Sequence, residues 1–170
     1  MKRMKRNLLF IPSLFIFFVC IPFFISCENE LEPDTGPINV SGIKHTGCKT
    51  FKSLVSEKQD CVEYQTVDNN YLKINRINTA FNCCIDGVLV VVTDNQTNEI
   101  TIKETEICTN PCYCNCLYDL EYTLGPMEYG TYSFHVIEEY ADTMSFAIEF
   151  SATTQGSYCE VRDGYPWNVE

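Results

Sequence analysis

The sequence predicts an all-β domain, a single antiparallel β-sandwich behind an export signal. Three observations carry this expectation. Seven short segments are rich in β-branched and aromatic residues, and several alternate apolar with polar side chains, as in Ile100-Thr101-Ile102-Lys103 and Tyr132-Ser133-Phe134-His135-Val136. Clusters of turn-forming residues separate these segments. The chain also holds 11 cysteines in 170 residues, a density that belongs to disulfide-stapled proteins of oxidising compartments.

Taken from the N-terminus, Lys2, Arg3, Lys5 and Arg6 precede an apolar stretch from Leu8 to Ile25, and Ser26-Cys27 follows it. A basic region, an apolar region and a small residue before a cysteine form a secretory signal with a lipidation site. The expectation is a signal peptide over residues 1–26 and a lipidated Cys27. An uncleaved anchor is the rival, since the 18 residues from Leu8 to Ile25 just span a hydrocarbon core of about 30 Å. Pro12, Pro22 and the Ser26-Cys27 edge favour cleavage, and either reading exports the remainder. Residues 27–44, acidic and containing prolines and glycines, read as a flexible tether, and 45–170 as one cysteine-rich domain.

The expected strands are Cys61 to Thr66, Tyr71 to Asn78, Val88 to Thr93, Glu99 to Glu106, Leu117 to Leu124, Gly130 to Glu138 and Thr143 to Ser151. Their turns are Asp68-Asn69-Asn70, Asp86-Gly87, Asp94 to Asn98, Gly125-Pro126 and Tyr140-Ala141-Asp142. Thr50 to Gln59 is the only helix-like candidate. The segment from Tyr122 to Phe134, a turn leading into Gly130-Thr131-Tyr132, is similar to the late strands of immunoglobulin-like modules, which makes the expected sandwich Ig-like.

Removing residues 1–26 lowers Lys+Arg from 12 to 8 against 23 Asp+Glu, so the formal charge moves from −11 to −15. Such an excess disfavours nucleic acid, whose phosphates need Lys/Arg clusters. The same step removes Cys20, and lipidation takes Cys27. Nine cysteines remain: Cys48, Cys61, Cys83, Cys84, Cys108, Cys112, Cys114, Cys116 and Cys159. They read as a disulfide framework with one sulfur left over, the connectivity open. Cys112, Cys114 and Cys116 would lie on one face of a strand, about 6.6 Å apart, too poorly placed to bond each other. Cys83 and Cys84, being adjacent, require separate partners, with one or both bridging to that row.

The sharper alternative is a soft-metal site, Cu or Zn, gathered by Cys83, Cys84, Cys112, Cys114 and Cys116. Redox catalysis would want a CxxC pair at a helix N-terminus, which the sequence lacks. A Ser-His-Asp or Cys-His site must use His45 or His135, and both read as solvent-facing. Glu104/Glu106 and Glu138-Glu139 offer carboxylate pairs, explained more simply as polar strand faces. The aspartate- and asparagine-rich turns lack EF-hand spacing, and no P-loop or Rossmann glycine pattern is present. Tyr165 and Trp167, at the chain's end, form either a contact platform or a tail locked over the sandwich.

Ser41-Gly-Ile-Lys-His-Thr-Gly-Cys48, Asp60-Cys61, Asn78-Thr-Ala-Phe-Asn-Cys-Cys84, the Cys112-to-Cys116 row running into Leu117-Tyr-Asp-Leu120, and Tyr165-Pro-Trp167 span most of residues 41–167. On these the chain resembles a cysteine-rich group of exported lipoproteins of Bacteroidota-type bacteria. The resemblance implies an outer-membrane location and one undivided domain, and implies no activity. It also implies O-glycosylation at Thr143 within Asp142-Thr143-Met144, and the acidic Glu28-Asn29-Glu30 after Cys27 resembles a surface-export signal, with the periplasmic and surface faces of the membrane both left open.

The functional expectation is a non-catalytic, lipid-anchored envelope protein that binds a protein partner or a glycan, without a cofactor. A Cu- or Zn-binding lipoprotein is the alternative, and a small hydrolase or protease inhibitor the third. Labelling cells with radioactive palmitate should mark the wild-type protein and leave Cys27→Ala unmarked; equal label on both would refute the anchor.

Overall fold

Alternation along the chain turns into two facing sheets. The computed structural model describes residues 37–49, 59–95 and 97–164. Nine strands follow in order: β1 (Asn39–His45), β2 (Gln59–Val67), β3 (Tyr71–Asn82), β4 (Gly87–Asp94), β5 (Glu99–Ile107), β6 (Asn115–Gly125), β7 (Gly130–Ile137), β8 (Met144–Phe150) and β9 (Gln155–Val161). One sheet has the order β1-β6-β3-β2-β9 and the other β4-β5-β7-β8. Every pairing is antiparallel except that of β5 with β7, which is parallel.

Register decides what faces inward. Leu72 and Ile74 of β3 stand opposite Leu124 and Tyr122 of β6, and all four are fully buried. From the other sheet, Ile100 and Ile102 of β5 pair with Phe134 and Val136 of β7 to close the core. Phe146 of β8 stacks on Phe134, with ring centroids 5.6 Å apart, and on Tyr158 of β9 at 5.0 Å, so it seals one side of the sandwich. At Asn78, whose φ is +69°, the β3–β6 register shifts. Beyond it both faces of β3 are covered. Phe81 joins the main core, while Ala80 and Leu117 pack under Tyr140 and Ala141.

All seven expected strands are present as β2 to β8, within a few residues of their expected limits. Two were not foreseen. Asn39–Lys44, assigned to the tether, belongs to β1: Ile38 and Val40 pack on the core and the backbone pairs with β6, so the domain begins earlier than residue 45. β9 shows no clear alternation because it is an edge strand, most of whose side chains remain exposed. The signal stretch, Cys27, most of the helix-like Thr50 to Gln59 segment, Tyr165 and Trp167 lie outside the described residues.

Candidate functional site

Three features of the fold concentrate chemistry, and the first is a sulfur-rich corner. β3 ends at Asn82, whose side chain organises the chain beyond it. Its Oδ1 accepts from the backbone N–H groups of Cys84 (3.0 Å) and Cys112 (3.1 Å), and its Nδ2 donates to the Cys112 carbonyl (2.8 Å). The Cys83 N–H donates to the Cys114 carbonyl at 2.9 Å. These bonds lay the turn after β3 against the loop entering β6, and disulfides join Cys83 to Cys114 and Cys84 to Cys112, with Cα–Cα distances of 5.6 and 5.7 Å. A third bridge, Cys48–Cys116, ties the segment after β1 to β6 at 5.8 Å. Far from this corner, Cys61 and Cys159 stand directly opposite each other on β2 and β9, and are bonded at a Cα–Cα distance of 4.1 Å. Cys108 is the free thiol among the described residues; it is half-buried and donates its S–H to the Cys84 carbonyl.

Cys83 and Cys84 thus have separate partners, both in the 112–116 row, as their adjacency requires. Cys112 and Cys114 precede β6 and lie in a loop, so the row is not a strand face. The five cysteines of the metal alternative do not form one thiolate set, because in this oxidised form each is spent in a disulfide. The sulfurs that converge are those of Cys48, Cys83 and Cys116, all within 4.8 Å of one another.

The second feature is an ion cluster between the sheets, centred on the fully buried Arg76. Its Nε donates to both carboxylate oxygens of Glu104 (3.1 and 3.0 Å), Nη1 to Asp60 Oδ1 (2.9 Å) and the Cys61 carbonyl (3.1 Å), and Nη2 to Glu138 Oε1 (3.0 Å). Tyr122 Oη donates to Glu104 at 2.8 Å, the Ala80 N–H to Glu138 Oε2 at 3.1 Å, and Arg162 Nη2 to Asp60 Oδ2 at 3.2 Å. The expectation that Glu104 and Glu138 lie on polar outer faces is therefore wrong: they are 1% and 5% exposed. The reason is parity. Glu104 continues the inward row Ile100-Ile102, and Glu138 continues Phe134-Val136, just as Arg76 continues Leu72-Ile74. Their partners Glu106 and Glu139 are half-buried and exposed.

Burial pushes the Glu138 carboxyl well above the ordinary range. Arg76 opposes this, while Asp60 and Glu104 add to it and a hydrogen bond joins Glu138 to Asp60. Burial also raises Glu104, against Arg76 and the Tyr122 hydrogen bond. Burial alone would lower the Arg76 guanidinium, but the three carboxylates outweigh it and the net shift is upward. Three buried carboxylates meet Arg76 and Arg162 here, and Arg162 also pairs with Glu160 at 3.0 Å, so burial and mutual repulsion among the carboxylates are what favour the neutral form of Glu138. The cluster's oxygens are occupied by the protein's own donors, which makes it a tie between sheets.

The third feature is the outer face of the four-stranded sheet. Cross-strand pairs put Leu89, Val91, Lys103, Thr105, Ile107 and Ile137 on that face. Leu89, Val91 and Ile107 are each close to half exposed, and Ile137 is 36% exposed. Lys103 sits among them with no ion-pair partner among the described residues. Past the Lys103–Ile137 pair β5 and β7 diverge, leaving a cavity of about 320 Å³ lined by Lys103, Glu104, Thr105, Ile137, Glu138 and Glu139. The outer face of the other sheet carries Glu63, Gln65, Lys73, Asn75, Glu121 and Thr123, and Glu121 is tied to Lys44 and Lys73.

The remaining candidates fall apart in space. His45 Nδ1 lies 2.8 Å from the Thr46 carbonyl, and its ring meets Tyr118 edge-on. His135 Nδ1 lies 2.9 Å from Ser145 Oγ across the β7–β8 pair. Neither ring is paired with a carboxylate among the described residues, so no triad is assembled. Thr143 is exposed beside the buried Met144. No protein-family model, no curated protein and no solved structure matches the chain.

A carboxyl whose pKa is raised by folding stabilises the fold below its unfolded value, about 4.3 for glutamate, and loses that contribution as pH rises through the folded value. Glu138 and Glu104 both shift in this sense. Unfolding free energy should therefore fall as pH rises from about 4.3, and Glu138→Gln, which keeps the shape of the neutral carboxyl, should flatten that fall. Denaturant titrations of both proteins across pH test this; parallel profiles would refute it. Arg76→Met, which leaves buried carboxylates unmatched, should cost about 3–5 kcal/mol at neutral pH.

Proposed function

We propose that this protein is a non-catalytic, lipid-anchored module of the bacterial envelope that binds a protein partner through the outer face of its four-stranded sheet. The observation that carries the reading is the exposed group Leu89, Val91, Ile107 and Ile137 around Lys103. Apolar side chains clustered on one sheet face, next to a cation without an ion-pair partner among the described residues, suit a partner surface that is itself apolar and supplies one carboxylate. The polar, internally ion-paired outer face of the five-stranded sheet suits solvent. Among the described residues no exposed row of aromatic rings offers a sugar platform, so the protein partner is favoured over the glycan. The envelope location rests on the N-terminal signal pattern, and the disulfide framework fits an oxidising compartment.

A photo-crosslinking side chain placed at Val91 in intact cells should give one discrete adduct with a protein, and a second substitution, Leu89→Asp or Lys103→Glu, should abolish it. The same probe at Asn75, on the opposite outer face, should give none. An adduct from Asn75 of the same mass, or one from Val91 that survives both substitutions, would overturn the assignment.

A further inference from the structure

The sulfur-rich corner holds a second arrangement besides its disulfides. Cys48, Cys83 and Cys116 reach it from three separate parts of the chain, the segment after β1, the turn after β3 and the start of β6, and their Sγ atoms lie within 4.8 Å of one another. Cys114 is bonded to Cys83, so a fourth sulfur lies next to this group, outside the 4.8 Å within which the other three converge. Zinc bound by thiolates has Zn–S distances of about 2.3 Å, which in a tetrahedron sets the sulfurs about 3.8 Å apart. Opening the Cys48–Cys116 and Cys83–Cys114 bonds separates each pair of sulfurs by less than about 2 Å, and a side-chain rotation of Cys114 brings the fourth sulfur in to the other three.

Strand pairing and backbone hydrogen bonds hold these segments together alongside the disulfides. Cys116 is fixed opposite Phe81 in the β3–β6 ladder, Cys83 N–H bonds to the Cys114 carbonyl, and Lys49 N–H, next to Cys48, bonds to the Leu117 carbonyl at 2.8 Å. The three converging residues grade from the exposed Cys48 through the half-buried Cys83 to the buried Cys116, which gives an entering ion a path and a closed inner side.

The geometry points to a tetrathiolate metal site in the reduced protein, in which Cys48, Cys83, Cys114 and Cys116 hold one soft divalent cation of the zinc class. Each of the two disulfides takes two electrons and two protons from a dithiol donor, which leaves as its own disulfide. Loading one Zn²⁺ then displaces four thiol protons, and the metal does not change oxidation state. Cys84, Cys108 and Cys112 take no part. This set differs from a CxCxC-centred one by including Cys48 and excluding Cys84 and Cys112.

The test uses the full chain in detergent micelles, reduced with a dithiol under nitrogen and freed of reductant. Titration with Co²⁺ should give the thiolate charge-transfer and tetrahedral visible bands at one ion per chain, displaced by Zn²⁺. Alkylation followed by peptide mapping should then show Zn²⁺ protecting Cys48, Cys83, Cys114 and Cys116, while Cys84, Cys108 and Cys112 react as they do without metal. Cys48→Ser should weaken zinc binding by more than the ~10–100-fold that loss of a supporting partner costs, and the Cys84→Ser/Cys112→Ser double variant should keep one-to-one binding. Protection of another set of thiols, uptake of no Co²⁺ by the reduced chain, or zinc affinity unchanged in Cys48→Ser would each overturn the proposal. The alkylation map needs no variant, so a misfolded mutant cannot blur it.

Discussion

The guanidinium of Arg76 is the constraint on which the two-sheet arrangement depends. It sits on β3 in one sheet and reaches Glu104 on β5 and Glu138 just past β7 in the other, while Asp60 of β2 holds it from its own side. A buried charge of this kind contributes little net stability compared with an apolar replacement of equal shape, but a mismatched partner leaves an uncompensated charge in the core. A packing that brings β2, β3, β5 and the end of β7 together gives each of its three nitrogens an acceptor. The cluster therefore selects how the sheets face each other more than it strengthens their contact. Tyr122 and Arg162 complete it from β6 and from the chain beyond β9, so elements from both sheets converge on one side chain.

Covalent ties act where the ion cluster does not. Three disulfides hold the turn after β3, the segment after β1 and the approach to β6 at one corner, and Cys61–Cys159 fastens the edge strand β9 to β2. The bonded cysteines lie 28 to 98 residues apart in sequence. In the chain-entropy limit such loops contribute roughly 3–5 kcal/mol each, without being additive. Staples at the corner and the edge leave the outer face of the four-stranded sheet as a fixed surface, since its residues are set by strand register. For the binding role proposed above, a face built on register would need little ordering when a partner arrives, which lowers the entropic cost of association.

Much of this was legible in the sequence, and the exceptions have physical causes. Seven strands could be read because residues such as Ile100, Ile102, Phe134 and Val136 alternate with polar neighbours. β1 escaped notice because Ser41, Gly42 and Lys44 face solvent and only Ile38 and Val40 reach the core. The ion cluster was missed because charged residues on strands are ordinarily outward, although Arg76, Glu104 and Glu138 each extend an apolar row in step. That parity was visible, and it is the signal that finds them. Separate partners for Cys83 and Cys84 followed from their adjacency, whereas the partnership of Cys48 with Cys116 depends on β1 pairing with β6, which no local pattern announces. Likewise, Leu89, Val91, Ile107 and Ile137 become one patch only through the β4–β5–β7 register.

The nine described cysteines form four staples and one thiol. Oxidised protein, alkylated in denaturant without reductant and mapped by mass, measures this directly. One alkyl group, on Cys108, with bridged peptides for 48–116, 61–159, 83–114 and 84–112, is the predicted result. Three or more alkylated cysteines, or full modification of Cys83 and Cys116, would contradict it.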